Sequence, residues 1–503
     1  MRFVRRSTES VANLLWEHIM NIKGWKIRLV TGLLSSAVIA ACSDDGNRAS
    51  SSGGTTSSSG GSSSSSSTSS GGSSSGTTVK PVEDLTGEIS TNRTLASSKD
   101  YLLKGLVRVK AGTTLTIEKG TTIRGAVTTD KTNAAILLVE AGGKLIAEGT
   151  ADEPIVFTSQ AAEGVRRAGD WGGIVLLGNA PVNIAGGKGN IEGILSTTSG
   201  TQYGGSNPDD SSGVLRYVRV EYVGYVLSEG NEVNGITFGG VGRGTKVDHV
   251  QVRHALDDCF EFFGGTVDAK YLACQYNQDD GFDFDNGYQG RIQFAVLQQD
   301  PNHPGEDNGI ESDNDANGTA AEPFTNPQVY NVTLVGKNKS VDAVQYGMLL
   351  RRNSRGSYRN ILTLGFEAGV DIRDASTASA AKGGSPSLSI ANSLFFGSTG
   401  TGIVDHLAFA ENGDAAPNKD NDGAFDEAAW LKSGEAKNMM TDPGLMSPYT
   451  AVAPKFGPMV SLSSGATPPS DGFFDTSATY VGAFKDPNDA WATEGKWASW
   501  SDK

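Results

Sequence analysis

Short apolar runs separated by glycine and by Asn or Asp make up most of the chain from about residue 79 onward. Runs such as Thr113–Ile117, Ile136–Val139 and Lys144–Ala147 concentrate β-branched and apolar residues within four or five positions. Alternation with a period of two predicts β-strands, and a helical pattern reappears only near the C-terminus. We therefore expect an all-β domain over residues 79–427.

The runs recur at a long and nearly constant interval. Glycine or cysteine begins a run of apolar and acidic residues at positions 235, 259, 281, 309, 347 and 369, and insertions lengthen the two widest intervals. A second series begins at His249, Tyr271 and Gln293 and keeps the shortest interval throughout. Two or three short strands in a turn of roughly 22 residues predict a parallel β-solenoid whose turns stack about 4.8 Å apart. We expect a right-handed β-helix, because parallel crossovers are right-handed.

The same register predicts which side chains fill the interior of the solenoid. The phenylalanines expected to point inward and to stack are Phe260, Phe262, Phe282 and Phe284. Cys274 aligns with Val252 and is expected to be a buried free thiol, whereas Cys259 takes the place of a turn glycine. Because the two cysteines are assigned to different sides of one coil, we expect no disulfide between them.

Charge and composition narrow the possible partners. The chain has 503 residues with 42 Lys and Arg against 57 Asp and Glu, which gives a net charge of -15. Phosphate neutralisation needs an excess of cationic residues, so nucleic acid is not an expected partner. Three cysteines are too few for a disulfide-stapled scaffold. We expect a soluble surface and a monomer.

The first residues are typical of export and anchoring signals. Residues 1–41 combine a basic stretch, a short apolar run and small residues, which is typical of a signal peptide, with Met20 as the expected true start. Cys42 directly follows Ile39-Ala40-Ala41, which resembles the lipobox of bacterial lipoproteins and implies lipidation of Cys42 and an outer-membrane location. Residues 42–78, rich in Ser and Gly with a polyserine run, predict a flexible linker.

Several motifs resemble one family. The segments Gly169–Ile174, Gly213–Arg219 and Asp279–Asp283 are similar to those of right-handed β-helix surface lipoproteins of Bacteroidetes and marine Proteobacteria. This resemblance extends over most of residues 100–490 and implies a fold and a cell-surface location without implying a reaction. More distantly, the coils resemble those of pectate-lyase-like polysaccharide lyases, and that similarity concerns the fold alone.

Acidic residues recur at the same phase of the repeat and are expected to form outward columns. The candidate metal ligands are Asp257, Asp258, Glu261, Asp279, Asp280, Asp283, Asp285, Glu311 and Asp313. Like charges about 5 Å apart raise one another's pKa, so water, arginine or a cation must compensate them. Calcium suits such oxygen-rich sets. Two alternatives remain open, namely that these residues only satisfy tight turns through side-chain bonds to the backbone, or that they form a catalytic site.

Two arginines lie at the phase that follows the acids. Arg351 and Arg373 occupy equivalent positions of successive coils and are the candidates for catalysis if the protein is a lyase, which needs a base to take a proton from a uronic acid and a cation to neutralise its carboxylate. The alternative is that they balance the acidic columns. The insertions 299–308 and 312–326 leave the solenoid beside these columns and favour a ligand site there.

The ends of the solenoid need caps, because open strand edges invite aggregation. Residues 79–105 are expected to cap the first coil and residues 428–503 the last. Asn331, Asn360 and Asn392 are expected to form structural ladders or turn bonds. We expect a lipid-anchored surface protein, stabilised by calcium, that binds extracellular polysaccharide or mediates attachment. The alternatives are a polysaccharide lyase or related enzyme, and a structural coat protein or adhesin.

Overall fold

The computed structural model describes residues 80–228, 230–303, 308–338, 345–397 and 421–501. The predicted signal peptide 1–41, the lipidation site Cys42 and the linker 42–78 lie outside these residues. Neither helix in the described part of the chain is long and apolar enough to pass through a lipid bilayer.

Parallel strands form almost the whole of the described structure. In chain order the strands are β1 (Val82–Ile89), β2 (Arg93–Leu95), β3 (Asp100–Val109), β4 (Thr114–Ile117), β5 (Thr122–Gly125), β6 (Ile136–Val139), β7 (Lys144–Glu148), β8 (Ile155–Ser159), β9 (Gly173–Leu177), β10 (Gly189–Asn190), β11 (Gln202–Tyr203), β12 (Gly213–Val223), β13 (Tyr225–Ser228), β14 (Asn231–Val233), β15 (Ile236–Gly239), β16 (Lys246–Ala255), β17 (Phe260–Phe263), β18 (Asp268–Gln275), β19 (Phe282–Asp285), β20 (Arg291–Gln298), β21 (Ile310–Ser312), β22 (Gln328–Val335), β23 (Tyr346–Leu350), β24 (Gly356–Leu364), β25 (Ala368–Ile372), β26 (Leu388–Ala391), β27 (Leu394–Phe396), β28 (Leu445–Ser447) and β29 (Lys455–Pro458). Two short helices, α1 (Ala375–Ala381) and α2 (Glu427–Leu431), lie near the end of this order.

Each coil from β15 onward consists of one short and one long strand. The short strand β15 pairs with β17, β17 with β19, and so on along one face, while the long strands β16, β18, β20, β22 and β24 pair on the others. Glu261 pairs with Asp283, and Val252 pairs with Cys274, as the repeat predicts for neighbouring coils. The predicted right-handed parallel β-helix is confirmed.

Near the middle of each long strand from β12 to β24, and between β26 and β27, a bend is made by one residue in the left-handed region of backbone space, distinct from Tyr222 and His254, which adopt that region near the ends of β12 and β16. Its φ lies between 49° and 63° in every case, and the residues are Tyr217, His249, Tyr271, Phe294, Asn331, Asn360 and Asn392. The long strand therefore contributes two faces of the coil, one before and one after the bend. Together with the short strand this gives each coil three faces around a closed interior.

The interior is packed as the register predicts. The ring centroids of Phe238 and Phe262 are 4.8 Å apart, and those of Phe260 and Phe282 are 5.6 Å apart. All four rings are buried, as is Phe284. Burying a side chain of this size contributes about 1.5 to 3 kcal/mol, and a favourable ring pair adds about 1 kcal/mol. Stacked phenylalanines thus tie neighbouring coils together through the core.

The prediction that Cys274 is a free thiol is wrong, because Cys259 and Cys274 form a disulfide. Their Cα atoms are 5.8 Å apart, and both residues are fully buried. A side chain at the turn position faces the strand after the bend across a narrow corner. At the equivalent corner of the preceding coil, a Cβ on Gly235 would lie 2.4 Å from Val252. The two positions belong to different sides of the coil, but these sides meet at the corner.

The C-terminal residues do not stay on the last coil. Asn392 N–H donates to the carbonyl of Ala436, which places the region after α2 at the C-terminal end of the β-helix. From there the chain returns along the bends, and Lys496 N–H donates to the carbonyl of Ala151. This course differs from the expected cap, because the segment also covers the column of bend residues.

The Asn bend residues hold this returning segment. The Asn331 side-chain amide donates to the carbonyl of Tyr480 at 2.7 Å, and that of Asn360 donates to the carbonyl of Ala466 at 2.9 Å. The Asn360 side-chain oxygen accepts from Ala466 N–H. These residues therefore combine a bend with a set of bonds to another part of the chain.

Candidate functional site

Carboxylates form an outward column on the short-strand face. The strand register places Thr237, Glu261, Asp283, Glu311, Leu349 and Asp371 in successive coils at one level. Asp285 lies opposite Phe263, two residues further along, and Asp313 N–H donates to the carbonyl of Phe284. The predicted columns of like charge are therefore real features of the fold.

The turn that precedes the column carries a ladder of side-chain bonds. Asp258 accepts a hydrogen bond from Asp280 N–H at 2.8 Å, and Asp280 accepts one from Asn308 N–H at 2.8 Å. Asn308 in turn accepts one from Tyr346 N–H at 3.2 Å. Asp258 and Asp280 thus perform the turn chemistry that was one of the open alternatives.

Arginine neutralises the column in its later coils. Arg351 contacts Glu311, and its Nε donates to Asp313 at 3.0 Å. Arg352 reaches the same Asp313 carboxylate at 2.6 Å, and Arg373 donates to Asp371 at 2.8 Å. Both catalytic candidates, Arg351 and Arg373, are therefore bound to acids of their own chain.

The earlier coils carry a second group of carboxylates. We call this set the acidic recess, and its members are Glu192, Glu232, Asp257, Asp258, Glu261, Asp279, Asp283 and Asp285. Carboxylate oxygens of Asp257, Asp258 and Asp279 lie within 4.8 Å of one another, and the same holds for Asp258, Glu261 and Asp283. Within the described ranges, neither Glu261 nor Asp283 forms an ion pair.

Burial makes these carboxyl groups hold their protons more tightly than usual. It is the main reason why the pKa of Glu192 rises to about 8, with a smaller effect from the charge of Asp257. Burial also raises the pKa of Asp257 and of Asp285 to about 7. The pKa values of Asp258, Glu261 and Asp283 are raised well above the ordinary range by burial and, secondarily, by their neighbours. The ionised recess is therefore under electrostatic strain at neutral pH.

Two contacts define the centre of the recess. The side-chain amide of Asn234 donates to Glu261 Oε2, and Asn234 is also within 3.3 Å of the Thr237 hydroxyl. Asp283 Oδ1 is buried and accepts no hydrogen bond from any residue that the structure describes. A buried oxygen of this kind needs a partner, because leaving an acceptor unsatisfied costs about 1 to 3 kcal/mol.

The donor set of the recess suits a hard cation. Its ligand atoms are carboxylate oxygens, which calcium prefers in sets of six to eight that can include backbone carbonyls and water. Asp258, Glu261 and Asp283 would hold such an ion, with Asp257 and Asp279 on the neighbouring side of Asp258. Of the remaining predicted ligands, Asp285 lies at the edge of this set, Asp280 belongs to the hydrogen-bond ladder, and Glu311 and Asp313 bind arginine.

Comparison with known families identifies the domain. The family model of the pectate-lyase-like β-helix domain matches residues 87–433. The chain belongs to this family. A search of curated proteins and a search of solved structures each found no significant match. The match begins within β1, ends just past α2 of this pectate-lyase-like domain, and includes the coils that build the acidic recess.

The recess of this pectate-lyase-like domain contains two acids that the repeat did not predict. Glu192 lies in the excursion between β10 and β11, and Glu232 lies in the hairpin of β13 and β14. Both segments leave the coil, so their residues have no phase in the repeat. The insertions 299–308 and 312–326 were expected beside the acids, but these earlier excursions bring the additional carboxylates.

Proposed function

We propose that this protein binds an extracellular polysaccharide and that a calcium ion in the acidic recess stabilises the coils that present the binding surface. The family supports a role on polysaccharide, because its members share a β-helix of the pectate-lyase type. The acidic recess supports the calcium ion. The proposal also includes export and a lipid anchor at Cys42, for which the support is the sequence pattern of residues 20–42.

One observation carries the calcium proposal. The column of acids changes its pairing along its length, from an arginine ion pair at Glu311 and Asp371 to no ion pair among described residues at Glu261 and Asp283. At Asp283 the charge of the more distant Arg351 opposes the rise in pKa only in part. If these acids served only to form hydrogen bonds in the turns, neither Glu261 nor Asp283 would need a carboxylate, and neutral residues could take their places. Buried carboxylates without cations are destabilising, so their presence favours a cation that binds there.

Thermal unfolding with calcium and with chelator tests this proposal. Calcium that binds the folded state alone should raise the midpoint, and the rise should grow with calcium concentration. The variant Glu261→Gln with Asp283→Asn should lose this response, whereas Asp152→Asn on an exposed loop should keep it. An unchanged midpoint of the natural sequence in calcium would remove the ion from the proposal.

Polysaccharide binding is tested separately on a glycan array with residues 79–503. Binding to one class of extracellular polymer in calcium supports the proposal. A folded protein that binds no glycan on the array contradicts it, whether or not calcium raises the thermal midpoint.

A polysaccharide lyase is the second candidate, and the raised pKa values favour it. A carboxyl group with a pKa of about 7, as at Asp285, can accept and return a proton near neutral pH. A bound cation would supply neutralisation of the uronic carboxylate. The test is the ultraviolet absorbance of unsaturated uronate with a panel of acidic glycans, and its absence across the panel excludes this candidate.

A further inference from the structure

A groove on a different face of the coils has its own chemistry. It has a volume of about 400 Å³, and its lining includes Arg216, Arg243, Lys246, Lys270 and Phe473. We call it the cationic groove. Its floor is the part of β12, β16 and β18 that precedes the bend, and Gly472 and Phe473 of the returning C-terminal segment form a wall.

Three carboxylates line the groove: Asp248 and Asp268 have partners, and Glu148 is exposed. Asp268 accepts hydrogen bonds from Arg291 through Nε at 2.9 Å and through the backbone N–H at 3.0 Å. Asp248 contacts the ring of His249 and lies 4.0 Å from Arg216 Nε. These bonds satisfy the two aspartates locally.

The two lysines of the groove are in a different position. No carboxylate of the described residues lies within ion-pair distance of the Lys246 or Lys270 ammonium group. Lys246 is exposed, whereas Lys270 is partly buried. The groove therefore has cations available to a ligand in a protein whose net charge is -15.

Phe473 holds two cations at the wall of the groove. Lys270 Nζ lies 4.8 Å from the centroid of its ring, and Arg291 Cζ lies at the same distance. Phe473 itself rests edge-on against Phe474, which contacts Tyr330. The ring thus fixes the direction of Lys270 without neutralising it, since a cation–π contact leaves the charge in place.

Burial has already removed part of the water from Lys270. It lowers the pKa of the Lys270 ammonium group, against the opposing charges of Asp475, Asp248 and Asp471. An anion that enters the groove would stabilise the charged form of Lys270, which burial disfavours. Binding of an anion therefore regains part of a free-energy cost that the folded protein already carries.

We propose that the cationic groove is a binding site for anionic sugar chains, with Lys246 and Lys270 contacting carboxylate or sulfate groups. The strand spacing supports an extended ligand, because the two lysines lie on adjacent coils about 4.8 Å apart and are offset by two residues along the strand. A chain laid across the coils can meet both.

A sugar polymer fits the groove better than a nucleic acid. Base stacking needs a free aromatic face, and both Lys270 and Arg291 lie over the ring of Phe473. The site rests on the proposed binding of polysaccharide and names the class of polymer. It is separate from the calcium proposal, because it lies on another face and requires no metal.

Binding measured in chelator separates this site from the acidic recess. The probes are polygalacturonate, dextran sulfate, neutral dextran and single-stranded DNA, with calorimetry at low and at moderate salt. We expect one or both anionic glycans to bind, neutral dextran not to bind, and affinity to fall with salt. The two glycans distinguish carboxylate from sulfate recognition.

Matched variants locate the binding. Lys246→Gln with Lys270→Gln should weaken binding of the anionic glycan at least tenfold. Lys437→Gln with Lys455→Gln removes the same charge from exposed positions elsewhere and should change it less than twofold. If the first double variant fails to fold, Lys246→Gln alone, at an exposed position, should weaken binding two- to fivefold.

Three results would overturn the proposal. The first is that neither anionic glycan binds the folded natural protein at low salt, and the second is that the two double variants bind equally well. The third is single-stranded DNA that binds as tightly as the glycans and depends on the same lysines, which would assign the groove to nucleic acid. Binding of neutral polymers alone on the glycan array, which is a form of the first result, would refute the assignment of anionic glycans to the groove and leave the proposed function standing. A failure of the calcium test would leave all these measurements valid, because each is made without metal.

Discussion

Asp285→Asn should stabilise the metal-free protein at pH 8, although it removes a residue from the acidic recess. Burial raises the pKa of Asp285 from 3.8 to about 7. Since the folded pKa is the higher one, the native state binds more protons than the unfolded chain between these two values. Stability therefore falls as pH rises through this window, and the loss is complete above about pH 7.

The size of the effect follows from the same two values. A tenfold change in proton affinity corresponds to about 1.4 kcal/mol, so the ionised Asp285 costs about 4 kcal/mol at most. Asparagine keeps the shape and can still accept the bond that Asn286 N–H donates to Oδ1 of residue 285, but it loses the bond that Asp285 Oδ2 accepts from the Asn286 side-chain amide. We expect Asp285→Asn to gain about 1 to 4 kcal/mol at pH 8 and little at pH 4.

Urea unfolding in chelator at pH 4, 6 and 8 measures this gain. The whole chain becomes more negative over this range, so the difference between variants is the informative quantity. Asp152→Asn removes the same charge at an exposed position and serves as the control. If Asp285→Asn and Asp152→Asn have the same stability at pH 8, Asp285 is not strained, and the electrostatic account of the recess is refuted.

Three further changes probe other parts of the structure. Cys274→Ser opens a disulfide whose cysteines are 15 residues apart, and should lower the free energy of unfolding by about 3 kcal/mol; a thiol assay of the unreduced, denatured natural protein should find neither Cys259 nor Cys274 free. Asn360→Ala removes the side-chain hydrogen bonds to Ala466 and puts at φ 57° a residue that tolerates this backbone conformation less well than asparagine. It should lower the free energy of unfolding, measured in urea, by about 2 to 4 kcal/mol. Arg351→Gln removes a cation from Glu311 and Asp313, so it should destabilise by about 2 kcal/mol, as measured by thermal midpoints; an unchanged midpoint would contradict this explanation.

The repeat made the coils predictable because its information is local and periodic. Once positions one repeat apart are stacked, the inward Phe262 and the outward Asp283 follow from alternation along a strand. The same logic placed Arg351 after Glu311, and the structure brings the two into contact. No long-range information beyond the period was needed for these positions.

Features outside the period were not predictable in the same way. Glu192 and Glu232 reach the acidic recess from excursions whose folding depends on their own contacts. The disulfide was missed because alignment gives the level of a residue along the solenoid but not the width of the interior. The missed signal was that Cys259 occupies a glycine position, and at that corner a side chain meets the strand after the bend, where Cys274 lies.

Along the β-helix, the residues at the bends change from aromatic to asparagine, and the C-terminal segment that covers them changes in the groups that it offers. Tyr, His and Phe carry an αL penalty of about 1 to 2 kcal/mol that Asn tolerates better, and in the earlier coils ring stacking at 4.3 to 4.9 Å offsets it. Trp497 and Trp491 lie edge-on against these rings. In the later coils Asn331 and Asn360 occupy the bend, and the segment above them offers backbone carbonyls instead of indoles. Since each half of the column is matched to the part of the segment that covers it, the segment is an integral layer of the fold, and it also supplies Phe473 to the cationic groove.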